Sequence, residues 1–158
     1  MNLDRLREQI QNDTFAPWSA QAWAKAHLLT LLTRGAYDHV HADSRGIVRD
    51  ISIVGCDSIV LNSVGNVFLT AAREISVELR FSASVQWSGR VDRSDLQAAL
   101  ALKWKLSPRP DVGPRKTVLH TLRLPVPVQA TLDGHGRLRS SEIRNLGYGR
   151  GIMGRNRF

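Results

Sequence analysis

The stretch ISVELRFSASVQW, residues 75–87, decides the fold. Ile75, Val77, Leu79, Phe81, Ala83, Val85 and Trp87 alternate without a break against Ser76, Glu78, Arg80, Ser82, Ser84 and Gln86. Successive side chains of a strand point to opposite faces, so a two-residue period gathers all seven apolar groups on one side; a helix would scatter them around its circumference. The segment predicts a long strand with one face in the core and the other wet.

The same pattern returns in Val118, His120, Leu122, Leu124, Val126, Val128, Ala130 and Leu132. Pro125 and Pro127 fall on the opposite face, and proline donates no ladder hydrogen bond, so this part of the strand is expected at a sheet edge. DGHG, residues 133–136, then turns the chain into RLRSSEI, a further strand.

Upstream of residue 75, Ile47, Ile51 and Ile53 suggest a strand, GCD at 55–57 a turn, SIVLNS at 58–63 a second strand, and Gly65-Asn66 a two-residue hairpin. Downstream, DLQAALALKWKL supports either a helix opened by Ser94 or an alternating strand. Because Leu100, Leu102, Trp104 and Leu106 alternate with Ala101, Lys103 and Lys105, a strand over 98–106 is expected. SPRPDVGPRK, residues 107–116, carries three prolines in ten residues and reads as a basic loop.

The first 35 residues follow a different period. Asn2 can cap a short helix carrying Leu3, Leu6 and Ile10, and FAPWSAQAWAKAHLLTLLTRG predicts a second helix with Ser19 or Thr14 as caps, Pro17 in its first turn and Gly35 at its end. Trp18, Ala22, Leu29 and Leu32 share one face of it. Trp23, His27 and Leu31 form another stripe at steps of four, so the helix asks for two neighbours: the first helix, or a partner chain.

These elements add up to an α+β domain, residues 1–146, in which N-terminal helices (1–35) pack on one large, strongly twisted antiparallel sheet (37–146) laid out as a meander, followed by a basic glycine-rich arm, 147–158. The length of 158 residues suits a single core without staples. No apolar run approaches the roughly 20 residues of a membrane span. The opening MNLDRLREQI is too charged for a secretory signal, and the lone Cys56 cannot pair internally, so a reducing cytoplasm is the expected compartment.

Residues 1–100 hold 10 Lys+Arg against 11 Asp+Glu, whereas 101–158 hold 12 against 3, so the whole +8 excess lies in the last third. That asymmetry favours nucleic acid or an acidic protein surface as partner. By strand phase, Arg80, Lys103, Lys105 and Arg123 are expected on the polar sheet face, joined by Arg109, Arg115 and Lys116 from the loop, with only Glu78 clearly opposing them. In the arm, Arg150, Arg155 and Arg157 can follow phosphates, while Tyr148 and Phe158 can stack on bases or contact a partner.

Catalytic signatures are weak. YDHVHADSR, residues 37–45, would place His39 and His41 on one strand face beside Asp38 or Asp43, a possible start of a metal site. A lone His-x-His without a second cluster is poor support for it, and Asp43-Ser44-Arg45-Gly46 also reads as a hairpin turn. His120, in phase with apolar neighbours, reads as a core histidine bonded to backbone. No nucleophile elbow, Walker-type or dinucleotide glycine pattern occurs, so no cofactor is expected. The expected function is a non-enzymatic basic module that binds nucleic acid or another polyanion through the sheet face and arm. The alternatives are a structural subunit of a larger virion- or secretion-like assembly, with possible homo-oligomer contacts through Trp23, His27 and Leu31, and a metal-dependent hydrolase or nuclease using His39 and His41.

Overall fold

The computed structural model describes residues 2–34, 44, 46–109 and 113–144. Among these residues, three helices and a five-stranded antiparallel sheet form an α+β arrangement. Helices α1 (Leu3–Gln11) and α2 (Ala20–Arg34) precede strands β1 (Val48–Leu69) and β2 (Ile75–Asp92). A 3-10 turn (Arg93–Asp95) leads into α3 (Leu96–Ala101), β3 (Lys105–Leu106), β4 (Arg115–Leu132) and β5 (Leu138–Ile143). The sheet order is β1-β2-β4-β3, with β5 pairing the other end of β4.

β2 is the spine, and its apolar phase is buried throughout, although Ser76 on the other phase is buried as well. Ile75, Val77, Leu79, Phe81, Ala83, Val85, Trp87 and Val91 are each at most 1% exposed. Opposite them on the same face of β4, Val118, Leu124, Val126, Val128, Ala130 and Leu132 are buried. Leu6 and Ile10 of α1, with Ala20, Ala24, Leu28 and Leu32 of α2, complete the core on this inner face. The packed stripe of α2 therefore runs through Ala20, Ala24, Leu28 and Leu32, whereas Ala22 and Leu29, expected on one apolar face with Trp18 and Leu32, are exposed. Capping follows expectation where the geometry allows: Asn2 Oδ1 accepts from the Arg5 amide and Ser19 Oγ from the Ala22 amide. Pro17 precedes the helix instead of opening it.

β1 corrects the expected strand, turn, strand and hairpin of residues 47–67. It is one strand of 22 residues paired along β2, and the chain reverses only at residues 70–74. Five register shifts each insert one extra residue, and Asp50 (φ 54°) and Ser58 (φ 51°) take left-handed conformations. The turn signals in GCD and GN were absorbed as bulges, which break the two-residue period and raise the local twist. Gly65 lies inside the strand, because a Cβ there would come within 2.1 Å of Glu78 Oε1.

The strand expected over 98–106 is also corrected. Residues 96–101 are helical, and the turn is closed by the Leu102 amide donating to the Ala98 and Ala99 carbonyls and the Lys103 amide to the Leu100 carbonyl. Lys103 (φ 77°) then reverses the chain into the two-residue β3. Alternation over so few residues is matched equally by a short helix whose buried member, Ala99, faces the sheet. Trp104 fills the core at 2% exposure, and its Nε1 donates to Ser44 Oγ at 2.9 Å.

The prolines sit where their chemistry requires. β4 is bordered by β2 throughout, but on its other side β3 reaches only Val118 and Leu119 while β5 begins at Val128. The Arg144 amide donates to the Pro127 carbonyl, so Pro127, and Pro125 in the same phase, turn their missing donors away from β2 toward the gap.

Candidate nucleic-acid interface

The face of the sheet turned away from α1 and α2 is built from the even-numbered residues of β2 and their partners. Rows run across the strands as Arg90 with Thr117 and Arg49, Ser88 with Leu119 and Ser52, Gln86 with Thr121 and Gly55, Ser84 with Arg123 and Asp57, Ser82 with Pro125 and Val60, and Arg80 with Pro127 and Ser63. Lys105, in register with Leu119, extends the second row. Rows two residues apart stand about 6.6 Å from one another. This outer face is a lattice of hydroxyls and amides with cations set into it.

The cations differ in their partners. Arg123 reaches from β4 over β2 to β1: its guanidinium donates to Ser82 Oγ at 3.0 Å, Ser84 Oγ at 3.4 Å and the Ser58 carbonyl at 2.9 Å. Neutral acceptors fix the group without cancelling its charge. Arg90 and Lys105 are exposed and form no ion pair with any described residue. Arg115, by contrast, donates to Asp92 Oδ1 at 3.1 Å, and Arg49 approaches the same carboxylate at 3.9 Å. Arg80 meets Glu78 at 3.3 Å. The amide of Asn66 and the nearby Arg80 and Arg144 hold the Glu78 carboxyl below its ordinary range, so it stays ionised.

Several expected positions move. Arg115 and Lys116 open β4 instead of lying in a loop, and Lys116, in register with Val91, falls on the opposite phase from Arg115. Lys103 sits in the left-handed turn beside α3, out of the strand phase assumed for it, while Lys105 does reach the outer face. Glu78 is joined by Asp92 and Asp57 as opposing acids. Arg109 is exposed in the segment after β3. Arg150, Arg155, Arg157, Tyr148 and Phe158 lie outside the described residues, as do His39 and His41.

Trp23 packs within its own chain, its ring 5.9 Å from Trp18 and 6.3 Å from Phe81, so the partner expected for its stripe is in large part the sheet. His27 is exposed and Leu31 half-buried. His120 has its ring between Trp87 at 6.2 Å and Trp104 at 5.2 Å, with Nδ1 3.2 Å from the Lys103 carbonyl. Among the described residues, no three His, Cys, Asp or Glu side chains come together in a metal-binding group, and no helix is long and apolar enough to cross a membrane.

Sequence reasoning missed the way the edge of β1 is held. Gln21 of α2 donates from Nε2 to the Ile59 carbonyl at 2.7 Å and accepts from the Leu61 amide at 3.0 Å, while Gln11 of α1 accepts from the Val64 amide at 3.4 Å. Side-chain amides thus occupy the middle of an otherwise open strand edge. No protein-family model, curated protein or solved structure matches this chain.

Proposed function

We propose that the protein is a non-enzymatic module that binds nucleic acid through the outer face of its sheet, with the basic residues of the carboxyl end adding to the same field. The observation that carries this reading is the set Arg90, Lys105 and Arg123, which stand on one hydroxyl-rich face and form no ion pair with any described residue. Phosphate groups gain most from cations that are already positioned and not neutralised, and the neighbouring Ser, Thr and Gln side chains can bond to sugar and phosphate oxygens. The concentration of excess charge in residues 101–158 supports the same partner.

The test is fluorescence anisotropy of labelled single- and double-stranded oligonucleotides across a salt series, with the Arg90→Ala/Lys105→Ala double variant beside the parent. Affinity should fall steeply with salt, and the double variant should flatten the slope by about 1.4 for single strands. Absence of binding at low salt, or equal slopes for both proteins, would overturn the reading.

One observation favours the second reading, a subunit of a larger assembly. β1 is an edge strand and exposes Val54, Val60, Phe68 and Leu69, each between 46% and 54%. Light scattering separates the two: a large particle free of nucleic acid supports assembly, and a monomer that shifts only with oligonucleotide supports binding.

A further inference from the structure

The bulge of β1 at residues 57–60 is gripped from two sides. From the sheet edge, Gln21 holds the Ile59 carbonyl and the Leu61 amide. From the outer face, Arg123 holds the Ser58 carbonyl. Ser58 itself is left-handed at φ 51°, a conformation that costs a non-glycine residue about 1–2 kcal/mol. Backbone of this kind, kept in place by side chains from two separate elements, is found preferentially where a site is being shaped.

At the bulge lies a pocket of about 560 Å³ lined by Lys25, Cys56, Asp57, Ser58, Ile59, Val60 and Arg123. Lys25 follows Gln21 by four residues on α2, so it lies on the same helix face one turn further along, and the Gln21 anchor brings it over the bulge. Arg123 enters from the opposite wall with its guanidinium already fixed by neutral oxygens. Asp57 stands with them, so the pocket carries two cations against one carboxylate. The Cys56 thiol is held neutral by burial and adds no charge.

We infer that this pocket is a phosphate subsite, in which Lys25 and Arg123 together bind one phosphate group at the rim of the outer face. This deepens the nucleic-acid reading and rests on it. It extends the contact surface past the edge of β1 and onto α2, so the bound strand crosses the sheet from the Arg90 and Lys105 end, passes Arg123 and leaves over Lys25. A planar guanidinium forks onto two oxygens of the phosphate, and the ammonium supplies a compact charge from the other side.

The test is an NMR titration with inorganic phosphate, followed by an oligonucleotide salt series, on the full chain and its Lys25→Gln variant. Lys25 is exposed, so the variant should keep the parent's melting temperature. Phosphate should shift the amides of Asp57, Ser58, Ile59 and Val60 and the Arg123 Nε–H saturably. Lys25→Gln should weaken that binding several-fold, and Asp57→Asn should strengthen it. With single-stranded oligonucleotide, Lys25→Gln should reduce the salt slope by about 0.7, the share of one phosphate. Shifts that do not saturate, or that are the same in parent and Lys25→Gln, would overturn the subsite. If these shifts fail while oligonucleotide binding stays salt-dependent, the outer-face reading survives alone. If phosphate and a nucleoside monophosphate bind but no oligonucleotide does, the pocket stands as a phosphomonoester site and the nucleic-acid reading fails.

Discussion

Gln21 and Leu61 are joined as two adjacent strands would be, with the Leu61 amide donating to Gln21 Oε1 while Nε2 of the same side chain bonds the carbonyl two residues earlier, at Ile59. A single carboxamide presents an N–H and a C=O side by side, as a peptide-bonded strand does, so it can stand in for a neighbouring residue of a sheet. Among the described residues no strand pairs with β1 on this side, and an open strand edge is a template for unwanted pairing. The helix α2 is thereby fastened to the sheet by the same contact that closes the edge.

Gln21→Leu should therefore do two things at once. It removes two partly buried hydrogen bonds, with an expected cost of about 1–2 kcal/mol read as a lower urea midpoint. It also frees the Ile59 carbonyl and Leu61 amide for another chain, so self-association measured by light scattering should rise with concentration. Gln21→Glu keeps the acceptor and loses the donor, and should fall between parent and Gln21→Leu. A Gln21→Leu protein with the parent's midpoint and mass would show that the carboxamide closes nothing.

The alternating strands were legible because their period is unbroken: every apolar position from Ile75 to Trp87 is buried, and the β4 series is buried except where His120 and Leu122 lie nearer the surface. β1 was not legible as one strand, since five inserted residues reset its phase and its Gly and Asn look like turns when read locally. The 96–106 segment offered too short a window to separate a helix of six residues from an alternating strand. On the candidate interface, phase alone predicted that Arg80, Arg123 and Lys105 point outward. It could not predict that Asp92 would be brought beside both Arg49 and Arg115, or that Gln21 would meet Ile59 across 38 positions, because those meetings depend on tertiary register.

The β4–β5 turn depends on Gly136. Its φ of +81° lies in the left-handed region, and an added Cβ would come within 2.6 Å of Phe15 Cζ. Asp133 organises the same turn, its carboxylate accepting from the His135 and Arg137 amides. Gly136→Ala should destabilise by about 2 kcal/mol or more, combining backbone strain with the clash. Adding Phe15→Leu should recover the steric part and leave the strain. Full recovery in the double variant would mean that the conformation itself costs nothing there.

Glu78 links charge to the close approach of β1 and β2. Its carboxylate accepts from the Asn66 amide at 3.1 Å beside Gly65, where a Cβ would stand 2.1 Å from Oε1. That amide bond is the main cause of its lowered pKa, with Arg80 and Arg144 adding to it. A carboxyl lowered in the folded state contributes stability above its ordinary value of 4.5 and loses it as pH falls through the folded pKa. Acid denaturation of Glu78→Gln should thus be less steep below about pH 4.5 than that of the parent. Gly65→Ala should push the flexible carboxylate aside, return its titration toward the ordinary value in an NMR pH series, and cost less than Gly136→Ala because only the end of a side chain must move. An unshifted Glu78 in Gly65→Ala would place the cause of the lowering elsewhere.

Cys56 titrates in the opposite direction. It faces the core opposite Val85 and is half-buried, and burial first, then the charge of Asp57, raises its thiol from 9.0 to about 11. The neutral thiol is the poorer nucleophile, so alkylation by iodoacetamide should be slow at neutral pH and accelerate as pH approaches 11. Asp57→Asn should speed it only in part, since the larger cause is burial. The sign for stability follows: an acid whose pKa is raised on folding contributes fully below 9.0, and the contribution is lost as pH rises through about 11. Replacing Cys56 with valine removes the titrating group, so the alkaline fall in melting temperature should be smaller in Cys56→Val than in the parent. Equal falls in the two proteins, or rapid alkylation at neutral pH, would show that the thiol is not held in the apolar setting that the strand pairing gives it.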